Sequence, residues 1–145
     1  MRTREFMERL HHDRIVQAIA AAEAKTSGEI RVYIQRGEAD GDPVDLARKQ
    51  FDRLGMHRTS QRNAVLIFVM PRARKFAVIG DEGIHQKCGK EFWDALVSGM
   101  REQFKQEHFQ AALVEAIEST GLLLAEHFPR RPDDVDELPN EALES

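Results

Sequence analysis

The chain has 145 residues, 41% of them apolar and 32% charged, a composition typical of one globular domain with a sizeable core. Its net charge of -4, with no Lys/Arg cluster on one face, argues against a nucleic-acid binder, and no apolar run is long enough to span a membrane. The single cysteine, Cys88, excludes an internal disulfide, and no signal peptide is visible, so we expect a cytoplasmic protein.

The first half of the chain is predicted to form a helix, a strand, a helix and a strand in that order. Residues 10–25 carry apolar side chains at helical spacing, and Gly28 is placed to end this helix in a left-handed cap. Residues 29–35 alternate between apolar and polar side chains, which indicates a strand with one face better covered than the other. Residues 43–54 form the next helix, for which Asp42 is a typical N-cap.

The most apolar part of the chain predicts two adjacent strands. Residues 63–70 contain seven consecutive apolar side chains rich in Val, Ile and Phe, which indicates a strand buried on both faces. Residues 71–74 are predicted to turn, and residues 75–80 to return as an antiparallel strand. Because the helix at 43–54 connects the strands at 29–35 and 63–70, those two strands are expected to be parallel, with a right-handed connection.

The second half of the chain is predicted to be helical after Gly89. A break near residues 106–108 divides this region into two helices. We assign residues 1–128 to a single α/β domain and residues 129–145 to an acidic, proline-containing tail. The tail is either disordered or docked on a groove or strand edge, of this chain or of a protein partner, and the strand at 75–80 is a candidate edge. The apolar residues expected to make that contact are Val135, Leu138 and Pro139.

This strand arrangement brings several polar residues to one end of the sheet. The end of the strand at 75–80 lies beside the start of 63–70, which in turn lies beside the start of the parallel strand 29–35. The residues expected to gather there are Glu29, Arg62, Asn63, Asp81 and Glu82. Three carboxylates and an amide carbonyl are hard oxygen ligands of the kind that Ca²⁺ or Mg²⁺ prefers, and carboxylates held close together repel one another without a cation. The alternative is that Asp81 or Glu82 caps the following helix while Glu29 pairs with Arg62.

Several segments, in order along the chain, carry a family resemblance. They are T-S-G-E-I-R-V at residues 26–32, R-N-A-V-L-I-F-V at 62–69, F-A-V-I-G-D-E-G-I at 76–84, and a closing H-F-P followed by E-L-P in the tail. They resemble the TPM domain family, which is named for a thylakoid lumen protein, a photosystem II repair protein and a membrane modulator of acetylcholine receptors. The match covers about residues 5–140 and looks closest to the small, free-standing bacterial members.

The resemblance implies a fold and two functions. The implied fold is a three-layer α/β/α sandwich, with a small, mainly parallel mixed sheet that carries one antiparallel strand and is flanked by helices. This agrees with the strands and helices predicted above. The implied functions are divalent-cation binding, notably of Ca²⁺ with Mg²⁺ or Mn²⁺ as alternatives, and a phosphatase activity reported for plant members.

The acidic residues of this chain match the acidic positions of the family. We assign Glu29, Asp81 and Glu82, together with Asn63, as the predicted metal ligands. We therefore expect a Ca²⁺-binding module with a regulatory or protein-interaction role. The alternative is a metal-dependent acid phosphatase for phosphate monoesters, in which Asp81 and Glu82 hold the metal or act as general base and Arg62 binds the phosphate. The absence of a P-loop, a Cys-x₅-Arg loop or a His-Asp metal ladder favours the binding module.

Two further motifs indicate weaker sites. Glu38-x-Asp40-x-Asp42 imitates the opening of an EF-hand loop, but its glycine stands at the fourth place instead of the sixth, so only a weak cation site at Glu38 and Asp40 is left. His85-x-x-Cys88 has the spacing of a zinc pair but lacks a second pair of ligands nearby. Cys88 is therefore predicted to be a small buried thiol rather than a nucleophile.

Overall fold

A mixed sheet forms the middle of the fold. The structure is a computed structural model that describes residues 1–37, 40–130 and 143–144. Its strands, in the spatial order β3-β2-β1-β4, are β1 (Glu29–Ile34), β2 (Ala64–Met70), β3 (Lys75–Gly80) and the two-residue β4 (Leu143–Glu144). Strand β2 is parallel to β1 and antiparallel to β3. All seven residues of β2 are buried, which confirms the prediction that this apolar segment is covered on both faces.

Helices cover the sheet on both sides. They are α1 (Thr3–Glu8), α2 (His12–Glu23), α3 (Pro43–Arg53), the single turn α4 (Glu82–His85), α5 (Lys90–Lys105) and α6 (Phe109–His127), with a 3₁₀ turn at Met56–Arg58. Helix α3 packs on one face through its buried residues Ala47 and Phe51, and α1, α2, α5 and α6 pack on the other. This confirms the predicted α/β/α sandwich; α1 is the helix that the apolar spacing did not predict.

Alternation along the strands separates two apolar cores. Ile30 and Val32 of β1 face the layer that contains α2 and α6, whereas Tyr33 faces α3 and stacks on Phe68 with 5.8 Å between the ring centroids. Every residue of β1 is buried, including Arg31, so the expectation that one face would be better covered than the other was wrong. Strand β1 lies inside the sheet between β2 and β4, and helices cover both of its faces.

Two local predictions had different outcomes. The N-cap of α3 is confirmed, because the Asp42 carboxylate accepts a hydrogen bond of 2.9 Å from the Val44 N–H. The left-handed cap at Gly28 is wrong, since its φ is not positive. Glycine is needed there for space: a Cβ would lie 3.0 Å from the Leu124 side chain and 3.1 Å from the Asn63 carbonyl oxygen.

The described part of the tail contributes to the sheet. Leu143 and Glu144 pair with Tyr33 and Ile34 of β1, so this contact is made at the β1 side of the sheet and not at β3. The tail residues that were predicted to dock, Val135, Leu138 and Pro139, lie outside the described residues, and the boundary between domain and tail stays a prediction. Among the helices that the structure describes, none is long and apolar enough to cross a membrane.

Candidate functional site

The predicted polar residues meet where β1 and β2 begin and β3 finishes, a place that we call the amino end of the sheet. Glu29 is in register with Ala64, and Val65 is in register with Gly80. The Asp81 N–H donates to the Ala64 carbonyl at 3.0 Å, which extends this pairing beyond β3. The backbone therefore places Glu29 and Asp81 on either side of the first residue of β2, as the strand order predicted.

An arginine fork neutralises the carboxylate of Asp81. Arg62 donates from Nε to Oδ2 at 2.7 Å and from Nη2 to Oδ1 at 2.9 Å, a bidentate geometry. Its Nη1 lies 3.5 Å from the exposed carboxylate of Glu82. The Asp81 side chain is 6% exposed and that of Arg62 is 41% exposed, so the pair straddles the protein surface. Hydrogen bonding to Asp81 raises the pKa of the Arg62 guanidinium above its usual value, although desolvation opposes the rise.

Asp81 is also the N-cap of α4. Its Oδ1 accepts a hydrogen bond of 2.8 Å from the Glu82 N–H, and its backbone is extended, as N-cap residues require. The capping alternative is therefore confirmed for Asp81. The alternative also paired Glu29 with Arg62; in the structure Arg62 pairs with Asp81 and Glu82 instead.

A loop before β2 fixes the position of Arg62. The buried Thr59 accepts a hydrogen bond from the Asn63 N–H through its hydroxyl, and Arg62 adopts a left-handed backbone with φ of 52°. The Arg62 carbonyl accepts a hydrogen bond of 2.9 Å from the Gly83 N–H, so the loop and α4 are joined directly. Ordinary L-residues seldom adopt this conformation, which shows that the surrounding contacts determine it.

Asn63 is held by a different set of contacts. Its amide nitrogen donates to Ser27 Oγ at 3.2 Å, and Gln61 donates to the same oxygen at 3.0 Å. Ser27 and Gln61 were not predicted as site residues; the only signal was that Ser27 lies in the T-S-G segment of the family pattern. The amide group of Asn63 thus holds it to the loop before β1.

The described residues do not form a ready-made metal cluster. Among them, no three His, Cys, Asp or Glu side chains are grouped closely enough to hold a metal ion. Glu29 and Asp81 are buried at neighbouring positions, but Glu82 is 64% exposed and Asp81 is in contact with Arg62. The assignment of Glu29, Asn63, Asp81 and Glu82 as metal ligands therefore stays a prediction. Of the second cation site, Glu38 lies outside the described residues.

Cys88 is expected to react slowly with alkylating agents. Desolvation by partial burial raises the pKa of its thiol above the usual value, and the negative charge of Glu126 adds to the rise. Because the thiolate is the reactive form, we expect iodoacetamide at pH 8 to modify folded protein about fivefold more slowly than protein unfolded in urea, as measured by mass spectrometry. Equal rates in the two states would contradict this, and a faster reaction in the folded state would restore Cys88 as a candidate nucleophile.

Comparison with known proteins gives one family and two similar structures. A model of the TPM domain matches residues 3–121. The solution structure of the BA42 protein from the psychrophilic bacterium Bizionia argentinensis is similar, with a TM-score of 0.85, 40% sequence identity and coverage of 92% of each chain. The N-terminal domain of the cg2496 protein from Corynebacterium glutamicum, at 17% identity and a TM-score of 0.58, covers 83% of this chain and 74% of its own and shares the fold. No curated protein matches the chain.

Proposed function

This chain belongs to the TPM domain family, and from that membership we propose that it is a divalent-cation-binding module with its site at the amino end of the sheet. Ca²⁺ is the expected ion, with Mg²⁺ and Mn²⁺ as alternatives. The residues that would hold the ion are Glu29, Asp81 and Glu82, together with the amide oxygen of Asn63. The role of the module would be regulatory or in protein interaction.

One observation carries the proposal: two buried carboxylates flank the first residue of β2. Glu29 is 3% exposed and Asp81 is 6% exposed, and their backbones flank Ala64 in adjacent register. A buried carboxylate is stabilised by hydrogen bonds or by a nearby positive charge, because its charged form is disfavoured in a low-dielectric environment; Arg62 supplies both to Asp81, and a divalent cation would supply the charge in its place. Their oxygen atoms are the donor type that Ca²⁺ prefers.

Arg62 bears on how such a site would work. In the described structure its guanidinium contacts both oxygens of Asp81, so a divalent cation has to compete with it for this carboxylate. Carboxylate and amide oxygens are suitable ligands for a hard cation, but in this structure both oxygens of Asp81 are bound to Arg62. We therefore expect metal affinity to depend on Arg62 as well as on the acidic residues.

Replacing Arg62 by glutamine is expected to tighten Ca²⁺ binding. The substitution removes the competing charge, and the loss of a bidentate contact of this kind corresponds to about a tenfold change in affinity. Isothermal titration with Ca²⁺, Mg²⁺ and Mn²⁺ on the wild type and on Arg62→Gln measures this directly. Arg58→Gln, which removes the same charge from an exposed residue nearby, is the matched control and is expected to change the affinity by less than about twofold. No binding of any of the three ions by either wild type or Arg62→Gln would overturn the proposal.

Hydrolysis of phosphate monoesters is the alternative that the family resemblance implies. It is less well supported, because all three guanidinium nitrogens of Arg62, the predicted phosphate ligand, already face Asp81 and Glu82. Turnover of p-nitrophenyl phosphate that is saturable, metal-dependent and lost in Asp81→Asn would replace the binding module by an enzyme. Absence of such turnover, with ion binding intact, would leave the binding module as the function.

A further inference from the structure

A second candidate site lies at the opposite end of the sheet. A cavity of about 580 Å³ opens where β2 ends, beside Val69, Met70 and the turn that begins at Pro71. This is the carboxyl end of the parallel strands β1 and β2, the end at which open α/β sheets usually bind ligands. Its volume falls within the range of pockets that hold small molecules. The predicted cation ligands are at the other end of the sheet, so this cavity is independent of them.

Phenylalanine rings form the apolar wall of the cavity. Phe104 of α5 is the central ring, with its centroid 5.1 Å from Phe76, 5.8 Å from Phe109 and 6.3 Å from Phe6. Phe76 and Phe104 are only partly buried, whereas Phe6 and Phe109 belong to the core. The accessible rings provide a surface on which an aromatic or alkyl group can pack.

Basic side chains surround the same cavity. Four exposed residues line it: Arg74 in the turn, Lys75 at the start of β3, and Arg101 and Lys105 on α5. None of these four forms an ion pair with another residue in the described part of the chain. Glu107, the one acidic side chain among the described residues that line the cavity, is paired with Arg9. The cavity therefore combines an aromatic wall with four positive charges that have no ion-pair partner among the described residues, on a chain whose net charge is -4.

We propose that this cavity binds an amphipathic anion, a small molecule with one acidic group on an aromatic or alkyl body. The acidic group would contact the basic side chains, which repel one another until an anion is present, and the apolar body would lie against Phe76 and Phe104. A neutral apolar molecule would use only the rings, and a small inorganic anion only the charges. The site thus selects for ligands that have both parts.

Titration of the protein with 1-naphthoate, with binding detected by NMR, tests the proposal. Wild-type protein is expected to bind it saturably, with shifts at the residues that line the cavity. Arg101→Gln/Lys105→Gln is expected to weaken binding about tenfold, since it removes two charge contacts. The matched control is Arg48→Gln/Lys49→Gln, which makes the same two substitutions at exposed positions of α3 outside the cavity and is expected to change the affinity by less than about twofold.

Two further ligands define the chemistry. The neutral analogue 1-naphthalenemethanol is expected to bind more weakly than the acid, and its affinity is expected to be the same for the wild type and for Arg101→Gln/Lys105→Gln. Decanoate in place of 1-naphthoate distinguishes an alkyl from an aromatic body, and saturable binding of either acid supports the proposal. No saturable binding of either acid up to millimolar concentration would overturn it. An equal loss of affinity in Arg101→Gln/Lys105→Gln and in the control Arg48→Gln/Lys49→Gln would also overturn the proposal, because net charge alone would then explain the binding.

Discussion

Replacing Gly83 by alanine is expected to lower the free energy of unfolding by about 3 kcal/mol, because the added methyl group has no space. A Cβ at this position would lie 2.2 Å from the Gln61 carbonyl oxygen and 2.6 Å from that of Arg62. Both are backbone atoms, so the loop before β2 and helix α4 would have to separate. The hydrogen bond from the Gly83 N–H to the Arg62 carbonyl would be strained as well. Equilibrium unfolding in urea measures the change.

Gly99 offers a control with the opposite expected sign. It lies within α5, and among the described residues no atom beyond its own helix comes within 4 Å of an added Cβ. Gly99→Ala is therefore expected to stabilise the protein by about 0.5–1 kcal/mol through helix propensity. A Gly83→Ala variant as stable as the wild type would show that the loop and α4 can separate without cost, and the close contact would then not define the site.

Replacing Asp81 by asparagine is expected to lower the free energy of unfolding by about 2 kcal/mol. Asparagine keeps the shape of the side chain and caps helices as well as aspartate does, so the loss isolates the charged contact with Arg62. The estimate is below that for a fully buried pair, because Arg62 is 41% exposed. Under the proposed function, Asp81→Asn is also expected to weaken Ca²⁺ binding by more than about tenfold.

Glu82→Gln separates the effect on stability from a general loss of negative charge. Glu82 is 64% exposed, and its contact with Arg62 is 3.5 Å long, so its loss is expected to cost less than about 0.5 kcal/mol. Urea unfolding of the two variants side by side makes this comparison, and calorimetric titration of Asp81→Asn against the wild type measures the change in Ca²⁺ affinity. If Asp81→Asn and Glu82→Gln lose equal stability, the bidentate ion pair contributes nothing beyond net charge. If Asp81→Asn is destabilised but binds Ca²⁺ normally, Asp81 is structural and not a ligand.

Much of the fold was predictable because it follows from local patterns. The seven consecutive apolar residues of β2 require cover on both faces, and Asp42 before Pro43 is a strong helix start; both predictions were confirmed. The lengths of the connections predicted the strand directions, and these directions place Glu29 and Asp81 at one end of the sheet, as observed. The family resemblance gave the same architecture independently.

The contacts within the candidate site were less predictable. Whether Arg62 pairs with Glu29 or with Asp81 depends on a left-handed backbone at Arg62, which nothing in an arginine signals. Gly28 was assigned to a helix cap, but it is small because Leu124 of α6 and the Asn63 carbonyl approach it. The cavity beside Phe104 likewise depends on residues from α1, β3, α5 and α6 that are far apart in the sequence.

The sequence by itself determined the family, through motifs that occur in a fixed order along the chain. It also determined most of the helices and strands, and the end of the sheet at which the acidic residues gather, because periodicity, capping and connection length act over short stretches of chain. Only the tertiary structure decided that Arg62 holds Asp81, that Gly83 lies against the loop before β2, and that four basic side chains surround an aromatic cavity. Those contacts join residues from separate elements, so they depend on how the elements pack and are not encoded in any one segment.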